Sequence, residues 1–192
     1  MNIFTENNKN ARVAICGSVG VGKTTIFRRL TDRQQEHEYC TTFGVDLGIT
    51  DTKSSPFVIT FYDFSGNPAH HDLTLEYIRR SNLLLMVYDV HDVSTLGRLG
   101  NLYQKYLNNG WRGNIILVGN KIDANVYTGV DNYTAKGAQF ARDIRAPFII
   151  ISAKTGHGVD TLRDTILSSL KPDNIFTQTF YTKSKYCCCT VL

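Results

Sequence analysis

Apolar residues along this chain gather in short continuous runs, and stretches with a helical rhythm separate them. "ARVAIC" (11–16), "LLLMVYDV" (83–90), "NIILVGN" (114–120) and "PFIIIS" (147–152) are too short for helices and read as buried strands. "VDLGIT" (45–50) and "PFVITFYD" (56–63) flank the polar "DTKSS" and predict an antiparallel hairpin. "TTIFRRLTD" (24–32), "STLGRLGNLYQKYL" (94–107), "AQFARDI" (138–144) and "VDTLRDTILSSL" (159–170) read as amphipathic helices. Buried runs alternating with helices predict an α/β fold. Its sheet is six-stranded and mostly parallel, with helices on both faces and one antiparallel edge hairpin. Ligands of such sheets collect in loops at the C-terminal ends of the strands. After Pro172 the pattern stops, and "DNIFTQTFYTKSKYCCC" reads as a tail. The expected organisation is a flexible N-terminus at 1–10, one domain at 11–171 and a flexible tail at 172–192, without repeats or a second domain.

Between the first strand and the first helix stands "GSVGVGKT", Gly17 to Thr24, which fits G-x-x-x-x-G-K-[ST]. Glycines let backbone N–H groups turn inward around phosphate oxygens, and the positive helix N-terminus adds to the attraction. Gly20, Val21, Gly22, Lys23, Thr24 and Thr25 are the candidate phosphate contacts. Lys23 would reach the β- and γ-phosphates, and the Thr24 hydroxyl would ligate Mg²⁺. The loop alone indicates a nucleoside triphosphate without specifying the base. "NKID", Asn120 to Asp123, specifies it: a carboxylate at Asp123 accepts from both N1–H and the exocyclic amine of guanine. Adenine offers no such donor pair and would leave the carboxylate unpaired. "SAK", Ser152, Ala153 and Lys154, again follows a strand and would present a backbone N–H to the guanine O6.

With these motifs in this order the chain resembles the Ras superfamily of small GTPases, and within it the Rab branch. The resemblance covers roughly residues 11–170 and rests on "GSVGVGKT", "YCTTFGVD", "YDFSGN", "VGNKID" and "ISAKTG". It implies a single P-loop GTPase domain that binds GTP or GDP with Mg²⁺ and acts as a switch in membrane (vesicle) trafficking. By position, Thr42 would ligate Mg²⁺ and close on the γ-phosphate, and Asp63 would hold the metal through water. Gly66 would sense the same phosphate through its N–H. Asn120 and Lys121 would brace the loop and the guanine ring. Lys23, Thr42, Gly66 and position 67 would form the hydrolytic machinery. Exchange factors, activators and effectors would meet the switch regions at about 36–47 and 64–80. "TTFGVD" looks like the Rab form of the first switch, and the span from Asp123 to Ser152 has no room for the extra helix of Rho proteins.

Several positions depart from the family pattern. Where Asp-Thr-Ala-Gly-Gln is usual, this chain has Asp63-Phe64-Ser65-Gly66-Asn67, followed by Pro68. The Gln orients the attacking water. Asn carries the same amide on a side chain shorter by about 1.5 Å, and a misplacement of about 1 Å costs roughly a hundredfold in rate. Val19 stands where Gly or Ser is usual, and its branched side chain would crowd the γ-phosphate. Both predict slow hydrolysis, the alternative being that Asn67 works adequately with a bound activator. Gln35 replaces an aromatic that packs on guanine, while Tyr39 would still cover the phosphates. Leu47, Tyr62 and Tyr77 occupy the positions of an aromatic triad near the switches, which implies a different effector surface. Arg79 and Arg80 either add charge to that surface or form an ordinary solvated helix end.

Charge and cysteines narrow the setting. A formal charge of +4, without a basic stripe carrying interleaved aromatics, gives no reason to expect nucleic acid. The start, "MNIFTENNKNAR", lacks a secretory apolar core. The longest apolar stretch, "LLLMVY" (83–88), falls far short of the roughly 18 residues of a membrane span. Cys16 and Cys40 are isolated while Cys187, Cys188 and Cys189 are adjacent, which is no disulfide framework and fits a reducing cytosol. Cys189-Thr190-Val191-Leu192 matches C-a-a-X with a terminal Leu, which favours geranylgeranylation of Cys189. One lipid holds only marginally. Lys183 and Lys185 are a weak basic patch, so Cys187 or Cys188 is the better second anchor; a metal-binding cysteine cluster and an accidental tail are the competing readings. The expected protein is a monomer on the cytosolic face of a membrane. The rival functions are a nucleotide-loaded scaffold without relevant hydrolysis, a Ras-like signalling GTPase, and an ATP-dependent kinase or transporter that shares only the phosphate loop.

Overall fold

Eleven elements follow one another in the computed structural model, which describes residues 9–32, 42, 44–50, 57–67, 71–124 and 130–170. They are β1 (Lys9–Cys16), α1 (Lys23–Leu30), β2 (Val45–Thr50), β3 (Phe57–Phe64), α2 (His71–Arg79), β4 (Leu83–Asp89), α3 (Val93–Asn108), β5 (Asn114–Asn120), α4 (Val130–Asp143), β6 (Phe148–Ile150) and α5 (Val159–Ser169). The strands form one sheet in the order β2-β3-β1-β4-β5-β6. Only β2 and β3 pair antiparallel, with Val45 opposite Phe64 and Thr50 opposite Ile59. All the other pairs are parallel. The expected sheet, with its antiparallel edge pair and two helical layers, is therefore present; residues 51–56 of the hairpin lie outside the described residues.

Strand alternation sorts the interior into two layers. Val13 and Ile15 of β1 and Leu85 of β4 point to one face, where α1 and α5 supply Phe27 and Ile166. Ala14 and Met86 point to the other, where Ile78 of α2 and Leu99 of α3 cover them. A strand buried on both faces needs apolar residues at every position, which is why β4 reads as a continuous run. Helix α1 buries Lys23, Ile26, Phe27 and Leu30, the spacing of one helical stripe. That stripe runs from the core to the site, because Lys23 is its first member.

Strand β1 begins at Lys9, two residues before the expected start and within the stretch expected as an N-terminal tail, and three further differences from the sequence expectation stand out. Helix α4 starts at Val130, well before residue 138. Asn132, Thr134 and Gly137, all poor helix formers, stand before residue 138, so local propensity argues against a helix there. Helix α2 is absent from the sequence expectation; it is nine residues long, and its Thr74 and Ile78, one turn apart, are buried. Strand β6 is shorter than "PFIIIS", since the chain leaves the sheet after Ile150, although the Ile151 N–H still donates to the Gly119 carbonyl at 2.8 Å.

Because β3, β1, β4, β5 and β6 run parallel, their C-terminal ends reach the same edge of the sheet. The segments that follow β1, β3, β4, β5 and β6 converge there.

Candidate guanine nucleotide and magnesium site

The loop after β1 turns through Gly17 to Gly22 and enters α1 without a side-chain cap on the first helical turn. No side chain among the described residues caps that helix N-terminus, so its donors and positive dipole end suit an anion. Gly22 has φ +95°, and a Cβ there would lie 2.3 Å from the Asn120 amide nitrogen, so both backbone conformation and space demand glycine. Lys23 is buried, and its ammonium donates to the Ser18 carbonyl at 2.9 Å. Thr25, one turn in, is exposed.

Next to Lys23 three oxygen-bearing side chains meet from three segments. Thr24 Oγ1 donates to Asp63 Oδ2 at 2.6 Å. Thr42 Oγ1 lies 3.1 Å from Thr24 Oγ1 and 3.3 Å from the same Asp63 oxygen. Asp63, at the end of β3, has no solvent exposure, and its Oδ1 has no hydrogen-bond partner among the described residues. Burial raises the Asp63 carboxyl above its ordinary range, with the Thr24 hydrogen bond and the Lys23 charge pulling the other way. Burial likewise lowers the Lys23 ammonium, opposed by Asp63. A buried carboxylate with an orphaned oxygen beside two hydroxyls fits a hard, oxygen-seeking divalent cation such as Mg²⁺.

Gly66 closes over this cluster. A Cβ there would lie 2.5 Å from the Val19 nitrogen and 2.8 Å from Lys23 Nζ, so the backbone of the segment after β3 rests directly on the phosphate loop. Val19 is 55% exposed, and Asn67 is exposed with its N–H on Ser65 Oγ at 3.3 Å. The two departures from the family pattern thus flank the same glycine contact.

On the base side Asn120 is the buried link. Its Nδ2 donates to the Val21 carbonyl at 2.8 Å, and its Oδ1 accepts the Ala153 N–H at 3.0 Å. One side chain therefore ties together the phosphate loop, the end of β5 and the loop after β6. Asp123 Oδ1 accepts from Ser152 Oγ at 2.6 Å, and that same hydroxyl accepts the Thr155 N–H at 3.0 Å. Lys121 has φ +74° and pairs through Nζ with Asp89 Oδ2 at 2.8 Å. Lys154 is exposed at the turn.

The sequence motifs are thus brought together: Gly20 to Thr25, Thr42, Asp63, Gly66, Asn67, Asn120 to Asp123 and Ser152 to Lys154 all line one end of the sheet. Leu47 sits opposite Tyr62 in register, and the Tyr62 and Tyr77 rings meet at 5.2 Å, so the altered triad is also assembled. Leu47 and Ile49 are the exposed large apolar side chains of β2. Arg79 and Arg80 are exposed at the end of α2, bonded to Asn109 and Glu76 respectively. Gln35, Tyr39, Pro68 and Cys187 to Cys189 lie outside the described residues. Sequence reasoning missed Arg29, which donates to the Ala153 carbonyl at 2.9 Å and the Lys154 carbonyl at 2.6 Å. It also missed Asp89, although an acidic residue at the C-terminal end of a parallel strand was a usable signal.

Comparison with known proteins agrees with this geometry. The model of the Ras family matches residues 12–171. The Ras-related protein Rab-36 of Mus musculus is 27% identical over 162 residues, covering 82% of this chain and 61% of that protein. RabC of Dictyostelium discoideum is 27% identical over 167 residues, covering 83% of each chain. SEC4 of Candida albicans is 25% identical over 167 residues, covering 85% of this chain and 79% of its own. A phosphate loop and an asparagine-bridged base loop on a six-stranded sheet, with this match over most of its length, place the chain in the Ras family as a Rab-like small GTPase.

Proposed function

We propose that this protein is a GTP/GDP-dependent switch in vesicle trafficking whose intrinsic hydrolysis is slow. Lys23 and the backbone N–H groups of Gly20 to Thr25 hold the phosphates. Thr24, Thr42 and Asp63 would hold Mg²⁺, which when bound would neutralise phosphate charge. Asn120, Lys121 and Asp123 hold the guanine, with Ser152, Ala153 and Lys154 closing over its O6 edge. The single observation carrying this reading is the oxygen cluster of Thr24, Thr42 and Asp63 beside Lys23. Thr42 precedes β2 and Gly66 follows β3, and the antiparallel pairing of these strands sets both segments side by side where the γ-phosphate would lie. Contacts that exist only while that phosphate is present hold both segments, and its loss releases them.

Lys23, Thr42 and Gly66 stabilise the charge that develops as water attacks in line, and Asn67 orients that water. Its shorter side chain and the crowding by Val19 slow the step. Exchange factor, activator and effectors dock at about 36–47 and 64–80. The domain at 11–171 works as a monomer and is tethered to the cytosolic face of a membrane by a prenyl group on Cys189, with Cys187 or Cys188 as a second lipid site. No described helix is long and apolar enough to cross a membrane. A nucleotide-loaded scaffold is the second reading, favoured by the exposed Val19 beside Gly66.

Single-turnover hydrolysis of Mg²⁺–GTP tests the reading. The wild type should be nearly inert, and Asn67→Gln and Val19→Gly should each raise the rate by about tenfold to a hundredfold. Equal rates in all three proteins would reject the slow clock, and absence of hydrolysis in all three would favour the scaffold.

A further inference from the structure

The loop after β4 carries a histidine that belongs to none of the nucleotide motifs. Nε2 of the partly buried His91 lies 3.0 Å from the Lys121 carbonyl oxygen. A carbonyl only accepts, so Nε2 carries the proton. Nδ1 is buried and has no partner among the described residues. The His91 backbone N–H donates to Asp89 Oδ1 at 2.9 Å, while the other oxygen of that carboxylate holds Lys121 Nζ at 2.8 Å.

Asp89 and His91 thus grip Lys121 at both ends, at its ammonium and at its carbonyl. The grip has a physical purpose. Lys121 sits at φ +74°, a region that residues with a Cβ disfavour, and it persists only where its surroundings enforce it. The carbonyl that His91 holds also accepts the Ala124 N–H at 3.0 Å, closing the turn that carries Asp123. The Asp123 carboxyl is oriented in turn by Ser152.

We propose that His91 is a positioning residue for base recognition: by holding the Lys121 carbonyl it sets the Lys121–Ala124 turn so that Asp123 faces the exocyclic amine and N1–H of guanine. This rests on the guanine reading of the Asn120–Asp123 loop. Inosine diphosphate lacks the exocyclic amine, so the ratio of GDP to IDP affinity reports one arm of the Asp123 contact directly.

The experiment measures GDP release and the GDP/IDP affinity ratio for the wild type, His91→Ala and His91→Gln, with thermal unfolding of each. Loss of one such hydrogen bond should speed GDP release by about fivefold in His91→Ala and lower the GDP/IDP ratio by a similar factor. The Gln amide nitrogen reaches as far as Nε2 and also donates, so His91→Gln should restore both. Unchanged release and ratio in His91→Ala would overturn the proposal. So would equal loss in both variants alongside a lower unfolding temperature, which is the signature of packing alone. A wild type that does not prefer GDP over IDP or ADP would instead overturn the guanine reading itself, and the proposal with it.

Discussion

Cys16 closes β1 beneath the phosphate loop, 2% exposed and hydrogen-bonded to the hydroxyl of Tyr106. Burial pushes its thiol up to about 12 from an ordinary 9.0. The thiolate is the reactive form, so Cys16 should resist alkylation at pH 8 in the native protein and react only on unfolding, as site-resolved mass mapping would reveal. The linkage has a definite sign. The unfolded thiol loses its proton near 9.0 while the folded one keeps it to about 12, so stability is full below pH 9 and falls as pH rises towards 12. Urea midpoints between pH 8 and 11 should show that fall, and Cys16→Ala should flatten part of it. Residues of this kind differ in how legible they are. Lys23 and Thr24 were readable because their chemistry is set by near neighbours in sequence. Arg29 and His91 were not, because their partners lie 124 and 30 positions away.

At the scale of elements, α4 shows why a propensity signal and a packing demand can disagree. Gly137 weakens a helix by about 1 kcal/mol relative to Ala, which argues for replacing it. A Cβ there, however, would lie 2.1 Å from the hydroxyl of Tyr88 and 3.0 Å from the ring of Phe148. Tyr88 is fully buried and stacked on Phe148, so the hydroxyl has little freedom to retreat. Overpacking of this kind costs typically 1–3 kcal/mol, and the clash should win. Gly137→Ala is expected to destabilise the protein by up to about 2 kcal/mol in urea unfolding, the difference of those two terms; a stabilised variant would mean that α4 shifts freely. The same competition explains the boundaries that sequence missed. Helix α4 packs on β5 and β6 although its earlier part has low helix propensity, and α2, at nine residues, is too short for its periodicity to stand out.

For the molecule as a whole, the coupling between its two ligand ends matters most. Helix α1 begins with Lys23 and Thr24 at the phosphate side, and near its end Arg29 grips two successive carbonyls of the guanine loop. Arg163 of α5 holds the Arg29 carbonyl at 3.1 Å, fixing the helix end from behind. Removing the guanidinium should loosen the base loop without touching the phosphate contacts. Arg29→Ala is therefore expected to speed GDP release by about tenfold, on the scale of one or two charge-assisted hydrogen bonds. Its dependence on Mg²⁺ chelation should stay as in the wild type. A release rate unchanged in Arg29→Ala would show that the loop is held by Asn120 alone.

What the sequence determined by itself was everything encoded within a few consecutive residues. That includes the buried strands, whose two-faced burial demands unbroken apolar runs, and the phosphate loop, whose glycines and Lys23 must be contiguous to wrap one anion. It also includes the base loop, whose Asn120 and Asp123 must share a turn. What only the tertiary structure decided was how these pieces bear on one another. Thr24, Thr42 and Asp63 become one oxygen cluster, Gly66 comes to rest on the phosphate loop beside Val19, and Arg29 and His91 become supports for loops remote in sequence. The reason is physical. A hydrogen bond or close contact between distant residues depends on the positions of whole strands and helices, and those positions follow from packing the two faces of the sheet.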